Sequence, residues 1–313
     1  TDDNKLAGFV GMLPDMAFSA ETTYRFAWNS CWWVDPVYGK GIALKLFYKS
    51  IQTWESQYMI TDLTEYTRKI VKQTGLFYFT EPEKGVYLKI MSDLSLSYQG
   101  RIRKRKILLS IFNITDRLLN GFMKARLDKW KGKNDNAEIT VQYIPSFNES
   151  DIEFIHKMNR YELCRREKTE FEWISAYPWL TPKTIQEWNG RSYPFSWLCR
   201  HYSLQFVRLL HNNEITGLAM LTCRDGMYKI PYAYFWPGSE KICYNAICRI
   251  LIERQATGFL TFREDLAKYI KNSRFPVLKK RTVLRELAVS KSLAHYHPEQ
   301  YLLQDGDGDV VFT

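Results

Sequence analysis

Long hydrophobic runs are missing from this sequence of 313 residues. A membrane-spanning helix needs about 20 predominantly apolar residues in a row, and no stretch approaches that length, so we expect no stable membrane span. The amino terminus also lacks a basic segment followed by an apolar core, which is the pattern of a secretory signal. We therefore predict a soluble, cytoplasmic chain.

Paired cysteines are also absent. The sequence has six scattered cysteines, with no C-x-x-C pair and no nearby histidines: Cys31, Cys164, Cys199, Cys223, Cys243 and Cys248. This spacing argues against both a zinc site and a disulfide framework. We predict reduced, mostly buried cysteines and no bound metal.

Two short segments have metal-ligand residue types but not the full patterns. The acidic run from Asp305 to Asp309 resembles the start of a calcium loop, but Val310 replaces the glycine that such a loop requires. We predict an acidic hairpin turn there. The pair His295 and His297 is predicted to lie on the surface.

Positive charge is in excess, with 44 Lys and Arg against 34 Asp and Glu and a net charge of +10. Such a balance suits anionic partners, including phosphorylated cofactors, nucleic acid and lipid surfaces, and does not choose among them.

Hydrophobic residues make up 45% of the chain, which is enough for one large core or two ordinary ones. We predict two domains.

Two divergent copies of one unit follow each other. A shift of 199 residues places Gly39 on Gly238 and Glu65 on Glu264. In each copy, an aromatic strand leads into a glycine turn and a helix, and then come a short apolar strand, a polar helix and a closing strand. The closing strands are predicted at 86–91 and 283–289.

This repeat predicts an α/β fold with mixed sheets and three segments. A first domain covers 1–96, a basic helical arm covers 97–136, and a second domain covers 137–313. The second copy has a further strand and helices ahead of its first hairpin. The first copy has no counterpart for them, so we expect the first domain to lack its amino-terminal strand and helices.

The arm is rich in Arg and Lys around apolar residues at helical spacing. Its first part reads Gly-Arg-Ile-Arg-Lys-Arg-Lys over 100–106. Two interpretations stay open: a connecting helix packed against a domain, or a basic amphipathic surface that contacts anionic lipid or RNA.

The junction Asp35-Pro36-Val37-Tyr38-Gly39-Lys40-Gly41-Ile42-Ala43 joins the first aromatic strand to its helix. Free backbone N–H groups at a helix amino terminus favour phosphate oxygens. Gly39 and Gly41 allow the backbone to approach a ligand, and small Ala43 extends the clearance. A P-loop and a Rossmann fingerprint are both disfavoured, because the spacing and the required Ser/Thr or third glycine are missing.

This segment and the strand–helix order resemble the GCN5-related N-acetyltransferase family, whose acyl-CoA signature is Q/R-x-x-G-x-G/A at a strand–helix junction. The resemblance covers both copies and implies two tandem domains of this fold. It also implies acetyl-CoA or CoA as cosubstrate, with the pantetheine between the strands at 24–34 and 59–63. The implied cofactor-binding residues are Val34, Tyr38, Gly39, Lys40, Gly41, Ile42, Ala43 and Leu44.

Two departures from the family pattern are visible in the first copy. Tyr38 stands where the signature has Gln or Arg, although the backbone amides of the cradle remain. Val71 occupies the position at which the family often has a tyrosine general acid. In the second copy, Glu240 replaces Gly41, and its bulk and charge oppose a pyrophosphate, so we predict cofactor binding in the first domain only.

Direct attack of an amine on a thioester needs a proton acceptor and a donor for the carbonyl oxygen. The candidate catalytic residues are Asp35, Asp62 and Glu65, which lie at strand ends near the predicted cleft, and Tyr66. Tyr66 lies one or more helical turns before the position of the family's tyrosine, so it does not simply inherit the general-acid role. The resemblance therefore implies an acyl-CoA-dependent N-acyltransferase, most simply an N-acetyltransferase, acting on an unidentified amine-bearing acceptor.

Two other functions compete with this one. The aminoacyltransferases that build peptidoglycan also pair two such domains with a helical arm, and they take the acyl group from tRNA. A non-catalytic protein that binds CoA or an anionic surface is the second rival. The Gly41 and Ala43 turn favours CoA, whereas the basic arm favours RNA or lipid.

Overall fold

The computed structural model describes residues 6–18, 22–95, 106–134, 139–158, 161–182 and 198–312. Over these ranges the chain is a mixed α/β protein with two mixed β-sheets and helices, as predicted. None of the helices in the described part of the chain is both long enough and apolar enough to cross a bilayer.

Strands and helices are interspersed along the whole chain. The first half contains β1 (Gly8–Phe18), β2 (Thr23–Val34), a 3-10 turn (Pro36–Tyr38), α1 (Lys40–Thr53), β3 (Tyr58–Ile60), α2 (Glu65–Thr74), β4 (Phe77–Phe79), β5 (Glu83–Lys89) and α3 (Lys106–Lys133). The second half contains β6 (Ile139–Ile144), α4 (Glu149–Met158), α5 (Lys168–Ala176), β7 (Thr181–Pro182), β8 (Leu198–Cys199), β9 (Tyr202–His211), β10 (Glu214–Arg224), β11 (Met227–Phe235), α6 (Glu240–Glu253), β12 (Gly258–Thr261), α7 (Glu264–Asn272), β13 (Lys279–Arg285), β14 (Ala288–Ser290) and 3-10 turns at Lys291–Tyr296, Pro298–Gln300 and Val310–Phe312.

The chain forms two compact units, each built from separated stretches. Unit 1 comprises Thr1–Glu83, Asn159–Cys199 and Leu284–Thr313, and unit 2 comprises Lys84–Met158 and Arg200–Val283. The sheet of unit 1 has the strand order β1-β2-β3-β14-β4, and the sheet of unit 2 has the order β13-β5-β12-β11-β10-β9-β6. Short strands β7 and β8 pair separately.

This division differs from the predicted boundaries at 1–96 and 137–313. The predicted closing strand of the first copy corresponds to β5, which pairs with β12 in the second sheet. The predicted closing strand at 283–289 is divided between β13 and β14, and β14 pairs with β3 and β4 in the first sheet. Alternation along a strand shows which side chains share a face, but the choice of partner strand depends on contacts distant in sequence.

The predicted arm is helical over α3, and it belongs to unit 2 rather than forming a separate segment. Met123, Leu127 and Trp130 are buried on one side of this helix, and Leu127 and Trp130 belong to the main core of unit 2. The Trp130 indole N–H donates to the Ser273 carbonyl oxygen at 2.8 Å. The connecting-helix interpretation therefore describes this face of the arm.

The sheet of unit 1 has an apolar core on each face. On one face, Phe47 of α1 and Val71 of α2 pack over Tyr58 and Ile60 of β3. On the other face, the chain beyond β14 and the stretch around Leu163 cover Trp28 and Met59.

Five of the six cysteines are buried and Cys31 is half-buried, which confirms the prediction that most of them are buried.

A buried ionic cluster joins the three stretches of unit 1. Arg166 donates two hydrogen bonds of 2.8 Å to the carboxylate of Asp15 on β1 and one of 3.1 Å to Asp307. The Trp28 indole N–H also donates to Asp15, at 2.8 Å. Burial opposes ionisation of Asp15, but the charge and hydrogen bonds of Arg166 outweigh burial and hold the pKa of Asp15 below its usual value. Burial raises the pKa of Asp307 to about 6.

We predict that Arg166→Met lowers the free energy of unfolding by about 3–5 kcal/mol, because two buried carboxylates lose their cation. Lys268→Met is the matched control, since Lys268 is an exposed cation in a surface pair with Glu264, and it should change stability by less than about 0.5 kcal/mol. Urea denaturation of both variants measures the difference. Equal stabilities would show that the cluster does not support unit 1.

Candidate functional site

The aromatic strand β2 separates from its parallel neighbour β3 near its middle. Pairing between the two strands is limited to Ala27 with Tyr58 and Trp28 with Met59, whereas β2 continues to Val34. A β-bulge follows at once: Val10 pairs with Trp32 and Met12 with Asn29, so Gly11 opposes two residues of β2. Bulges bend a strand and redirect its side chains, which is why they recur beside binding sites.

The bulge needs a glycine on the opposite strand. A Cβ at Gly11 would lie 3.2 Å from the backbone nitrogen of Cys31, tighter than most side chains tolerate. The tyrosine at the start of the gap is held in place, because the Tyr58 hydroxyl lies 3.0 Å from the Asn29 amide and 3.1 Å from Ser50 Oγ. Burial raises the pKa of Tyr58 to about 12, so this hydroxyl stays protonated at neutral pH.

The predicted glycine turn lies at the end of β2. Asp35 Oδ1 accepts a hydrogen bond of 2.9 Å from the Val37 backbone N–H and so shapes the 3-10 turn. Gly39 has φ 75° and ψ 179° and is the N-cap of α1, and no side chain of the described residues caps the helix by a hydrogen bond. This backbone region is accessible essentially to glycine alone. The first-turn N–H groups of α1 therefore lack a side-chain cap from the described part of the protein.

The backbone conformation requires glycine at position 39 but not at position 41. It lies in the first turn of α1, and a Cβ built on it meets no atom of the described residues within 4 Å. Its φ is not in the left-handed region, so neither packing nor backbone conformation in this structure requires glycine. Glycine in a helix costs about 0.5–1 kcal/mol relative to alanine. The open space beside Gly41 is available to a ligand.

A cavity of about 800 Å³ opens beside this turn. Three parts of unit 1 line this cavity. The end of β2 and the turn contribute Trp32, Val34, Asp35, Pro36 and Gly39, and helix α1 contributes Ala43, Leu44 and Tyr48. Helix α2 contributes Tyr66, Thr67, Lys69, Ile70, Gln73 and Thr74. The Trp32 indole stacks on Phe47 at 4.7 Å, and its buried N–H has no hydrogen-bond partner among the described residues. A ligand in this cavity would meet a mostly apolar surface and the amino terminus of α1.

The cavity brings together six of the predicted site residues: Val34, Asp35, Gly39, Ala43, Leu44 and Tyr66. Tyr38, Gly41 and Ile42 belong to the same turn but do not line the cavity. Lys40 is the first residue of α1, and its side chain lies outside the described part of the structure.

The predicted acidic residues lie in different settings. Glu65 is highly exposed and pairs with Lys69 at 2.9 Å, and Asp62 is exposed with φ 52°. The Asp35 carboxylate is occupied by the turn. Their catalytic roles stay predictions, but neither Asp62 nor Glu65 lines the cavity.

Sequence reasoning missed a carboxylate that lies beside the gap between β2 and β3. Ser30 Oγ, in the bulge, donates to Asp309 Oδ2 at 2.9 Å. A Cβ on neighbouring Gly308 would lie 2.8 Å from Thr61 Oγ1, just beyond β3. The acidic segment is therefore a mostly buried turn against the sheet rather than a hairpin turn between two strands, and Asp307 within it has no exposed surface. The acidic run itself was visible in the sequence, but its distant partners were not.

The predicted histidine pair also has a structural setting. His297 Nδ1 lies 3.2 Å from Glu299 Oε1, and the His297 side chain is exposed. Over the ranges that the structure describes, no group of three or more His, Cys, Asp or Glu is placed to hold a metal ion.

Unit 2 contains a similar strand gap, but a side chain bridges it. β11 and β12 pair only from Met227 with Gly258 to Lys229 with Leu260, and β11 then continues to Phe235. Arg263 follows β12, donates to the Ala233 carbonyl oxygen at 2.9 Å, and lies over the Phe235 ring at 5.1 Å. At the shift of 199 residues, Arg263 corresponds to Thr64 and Ala233 to Val34. Thr64 only caps α2 in unit 1.

No protein-family model and no curated protein matches the sequence. Solved structures with a similar chain path include a GCN5-related N-acetyltransferase from Anabaena variabilis, at 10% identity and a TM-score of 0.46, covering 91% of this chain and 60% of that one. An Enterococcus faecalis protein described as a probable N-acyltransferase shares 11% identity at a TM-score of 0.49, covering 91% and 59%. Saccharomyces cerevisiae N-myristoyltransferase with bound myristoyl-CoA shares 9% at 0.46, covering 92% and 68%. The chain spans about 60% of the length of the first two, and at this identity function must be argued from the site itself.

We predict opposite effects for alanine at the two glycines of the turn. Gly39→Ala should lower the free energy of unfolding by about 1–3 kcal/mol, because a Cβ is strained at this φ and ψ. Gly41→Ala should raise it by up to about 1 kcal/mol, because alanine favours the helix and meets no described neighbour. Thermal unfolding of both variants tests the pair. A destabilised Gly41→Ala variant would show that folding, rather than ligand clearance, requires this glycine.

Proposed function

We propose that the chain is an acyl-CoA-dependent N-acyltransferase, most simply an N-acetyltransferase, whose cosubstrate binds in the cavity of unit 1. The observation that carries the proposal is the uncapped amino terminus of α1 beside that cavity, where Gly39 supplies the required backbone and Gly41 leaves open space. Backbone N–H groups at a helix amino terminus bind phosphate oxygens without any cationic side chain.

The shape of the cavity supports pantetheine as the remainder of the ligand. An extended, mostly apolar arm with amide groups would run from the turn along Trp32 and Val34, in the part of β2 that no longer pairs with β3. The adenine end of the cosubstrate lies toward Lys69 and Gln73 on α2 in this arrangement.

The bulge and the Ser30–Asp309 pair lie beside the strand gap, outside the lining of the cavity, and they suit the chemical step. In the proposed reaction, a neutral amine nitrogen attacks the thioester carbonyl carbon, the C–N bond forms and the C–S bond breaks. Asp309 accepts the proton that the amine loses, directly or through one water molecule. Tyr66, the tyrosine of α2 that lines the cavity, protonates the departing thiolate.

Unit 2 is proposed to bind no CoA. The Arg263 side chain bridges the strand gap of unit 2, and Glu240 places negative charge in the first turn of α6. A ligand there would have to displace a hydrogen-bonded guanidinium and bring phosphate close to a carboxylate. We therefore propose one CoA molecule for each chain.

We predict that CoA and acetyl-CoA raise the melting temperature more than ATP or NAD at equal concentration, since only CoA supplies both pyrophosphate and pantetheine. Ligand at 100 times its dissociation constant adds about 2.7 kcal/mol of stability. Gly41→Glu should abolish the shift, whereas Glu240→Ala should leave both the shift and a stoichiometry of one unchanged in calorimetric titration. Absence of any CoA shift in the wild-type chain would reject the proposal.

We predict that Asp309→Asn lowers kcat by about 10²- to 10⁴-fold, the range for loss of a general base, and leaves CoA affinity unchanged. Thiol release from acetyl-CoA, assayed with a library of amines, gives the rate and identifies the acceptor class. Glu65→Gln is the control and should keep activity; if Glu65→Gln loses activity and Asp309→Asn keeps it, the base has been assigned to the wrong carboxylate.

A further inference from the structure

An apolar stripe runs along the outer face of α3 in unit 2. It consists of five exposed side chains at helical spacing: Ile107, Ile111, Ile114, Leu118 and Phe122. Steps of three and four residues place them on one side of a helix, and the stripe is about 22 Å long at 1.5 Å per residue. Large contiguous apolar patches are uncommon on soluble monomers and mark interaction surfaces.

The opposite face of α3 packs against the rest of unit 2. Asp116, Met123 and Leu127 are buried there. The Asp116 carboxylate accepts hydrogen bonds of 2.9 Å from the backbone N–H groups of Leu94 and Ser95. These contacts fix the rotation of α3 about its axis, so the stripe points away from the core of unit 2 as a consequence of packing.

Positive charge surrounds the stripe. From Arg101 to Lys133 the sequence contains eleven Lys and Arg against two Asp, and one of those two, Asp116, is buried. Arg117, Lys124 and Arg126 are exposed on the helix, and the Arg126 guanidinium lies 5.6 Å from the centre of the Phe122 ring. The five positions that precede the helix in sequence, 101–105, carry four basic residues, and the helix itself begins with Lys106.

We propose that this stripe docks α3 on an anionic lipid bilayer, lying in the interface without crossing it. A helix with isoleucine, leucine and phenylalanine on one face and Lys and Arg beside that face is the type that inserts at the boundary of headgroups and acyl chains. Anionic lipid attracts the basic residues, and burial of the stripe retains the chain.

Two other partners, a second copy of this chain and RNA, fit this surface less well. A second copy of this chain would bring a second basic surface against the first, with a net charge of +10 on each, and like charges at close range repel. RNA would engage the basic residues but would leave the isoleucines and Leu118 exposed to water, because nucleic-acid surfaces bind chiefly through phosphate and aromatic contacts.

The test is co-sedimentation of the full chain with phosphatidylcholine vesicles that contain or lack phosphatidylserine. We expect binding to the anionic vesicles, weaker binding as salt screens the charges, and little binding to neutral ones. Leu118→Asp should lower the partition coefficient by about tenfold or more, because a leucine that the bilayer would bury is replaced by a charged side chain. Leu284→Asp is the matched control, since Leu284 is 64% exposed and Leu118 is 71% exposed; it should bind like wild type.

Leu118→Asp should keep the wild-type melting curve, since this side chain is exposed rather than part of a core. Unchanged lipid binding in Leu118→Asp, or equal binding to neutral vesicles, would overturn the proposal. Self-association that Leu118→Asp abolishes in sedimentation velocity without lipid would overturn it in favour of a second copy. Binding of tRNA that Leu118→Asp weakens as strongly as Arg117→Glu would overturn it in favour of RNA. None of these results depends on CoA binding or on acyl transfer.

Discussion

The contact between Arg166 and two buried carboxylates is the interaction on which unit 1 depends. Its partners are Asp15 in the first stretch of the unit and Asp307 in the last, and Arg166 itself belongs to the middle stretch. Chain connectivity does not hold these three stretches together. A buried charge is tolerated only when it is paired and hydrogen-bonded, so each of the three groups requires the other two.

This cluster also positions the turn that reaches the proposed site. Asp307 Oδ2 accepts from the Gln304 N–H at 2.9 Å, and Arg285 donates to the carbonyl oxygens of Leu303 and Gln304 at 2.9 and 3.0 Å. Two arginines therefore fix the backbone on the amino-terminal side of Gly308 and Asp309. As a result, Asp309 meets Ser30 in the bulge without support from a regular secondary-structure element.

Local features of the sequence predicted the elements and one wall of the proposed site. The helix of the arm was predicted from apolar spacing, and the turn at Gly39 was predicted from glycine spacing, because both depend on near neighbours in sequence. The partners of β5 and β14 could not be predicted, since alternation in a strand is compatible with either sheet. Asp309 was missed for the same reason: it pairs with Ser30 across 279 residues, and a carboxylate becomes a candidate base only when the fold shows what lies within hydrogen-bond reach.

The two strand gaps show how one framework can give an open site and a filled one. In unit 1, Thr64 follows β3, and its short side chain caps α2. In unit 2, Arg263 is long enough to reach the Ala233 carbonyl oxygen. Buried polar backbone groups must find partners, and a guanidinium supplies several donors at once. Unit 2 thus satisfies its gap internally, while in unit 1 the amino terminus of α1 lies beside a cavity that a ligand could enter. Single side chains on a shared strand arrangement make this difference, which explains why fold similarity alone does not locate the site.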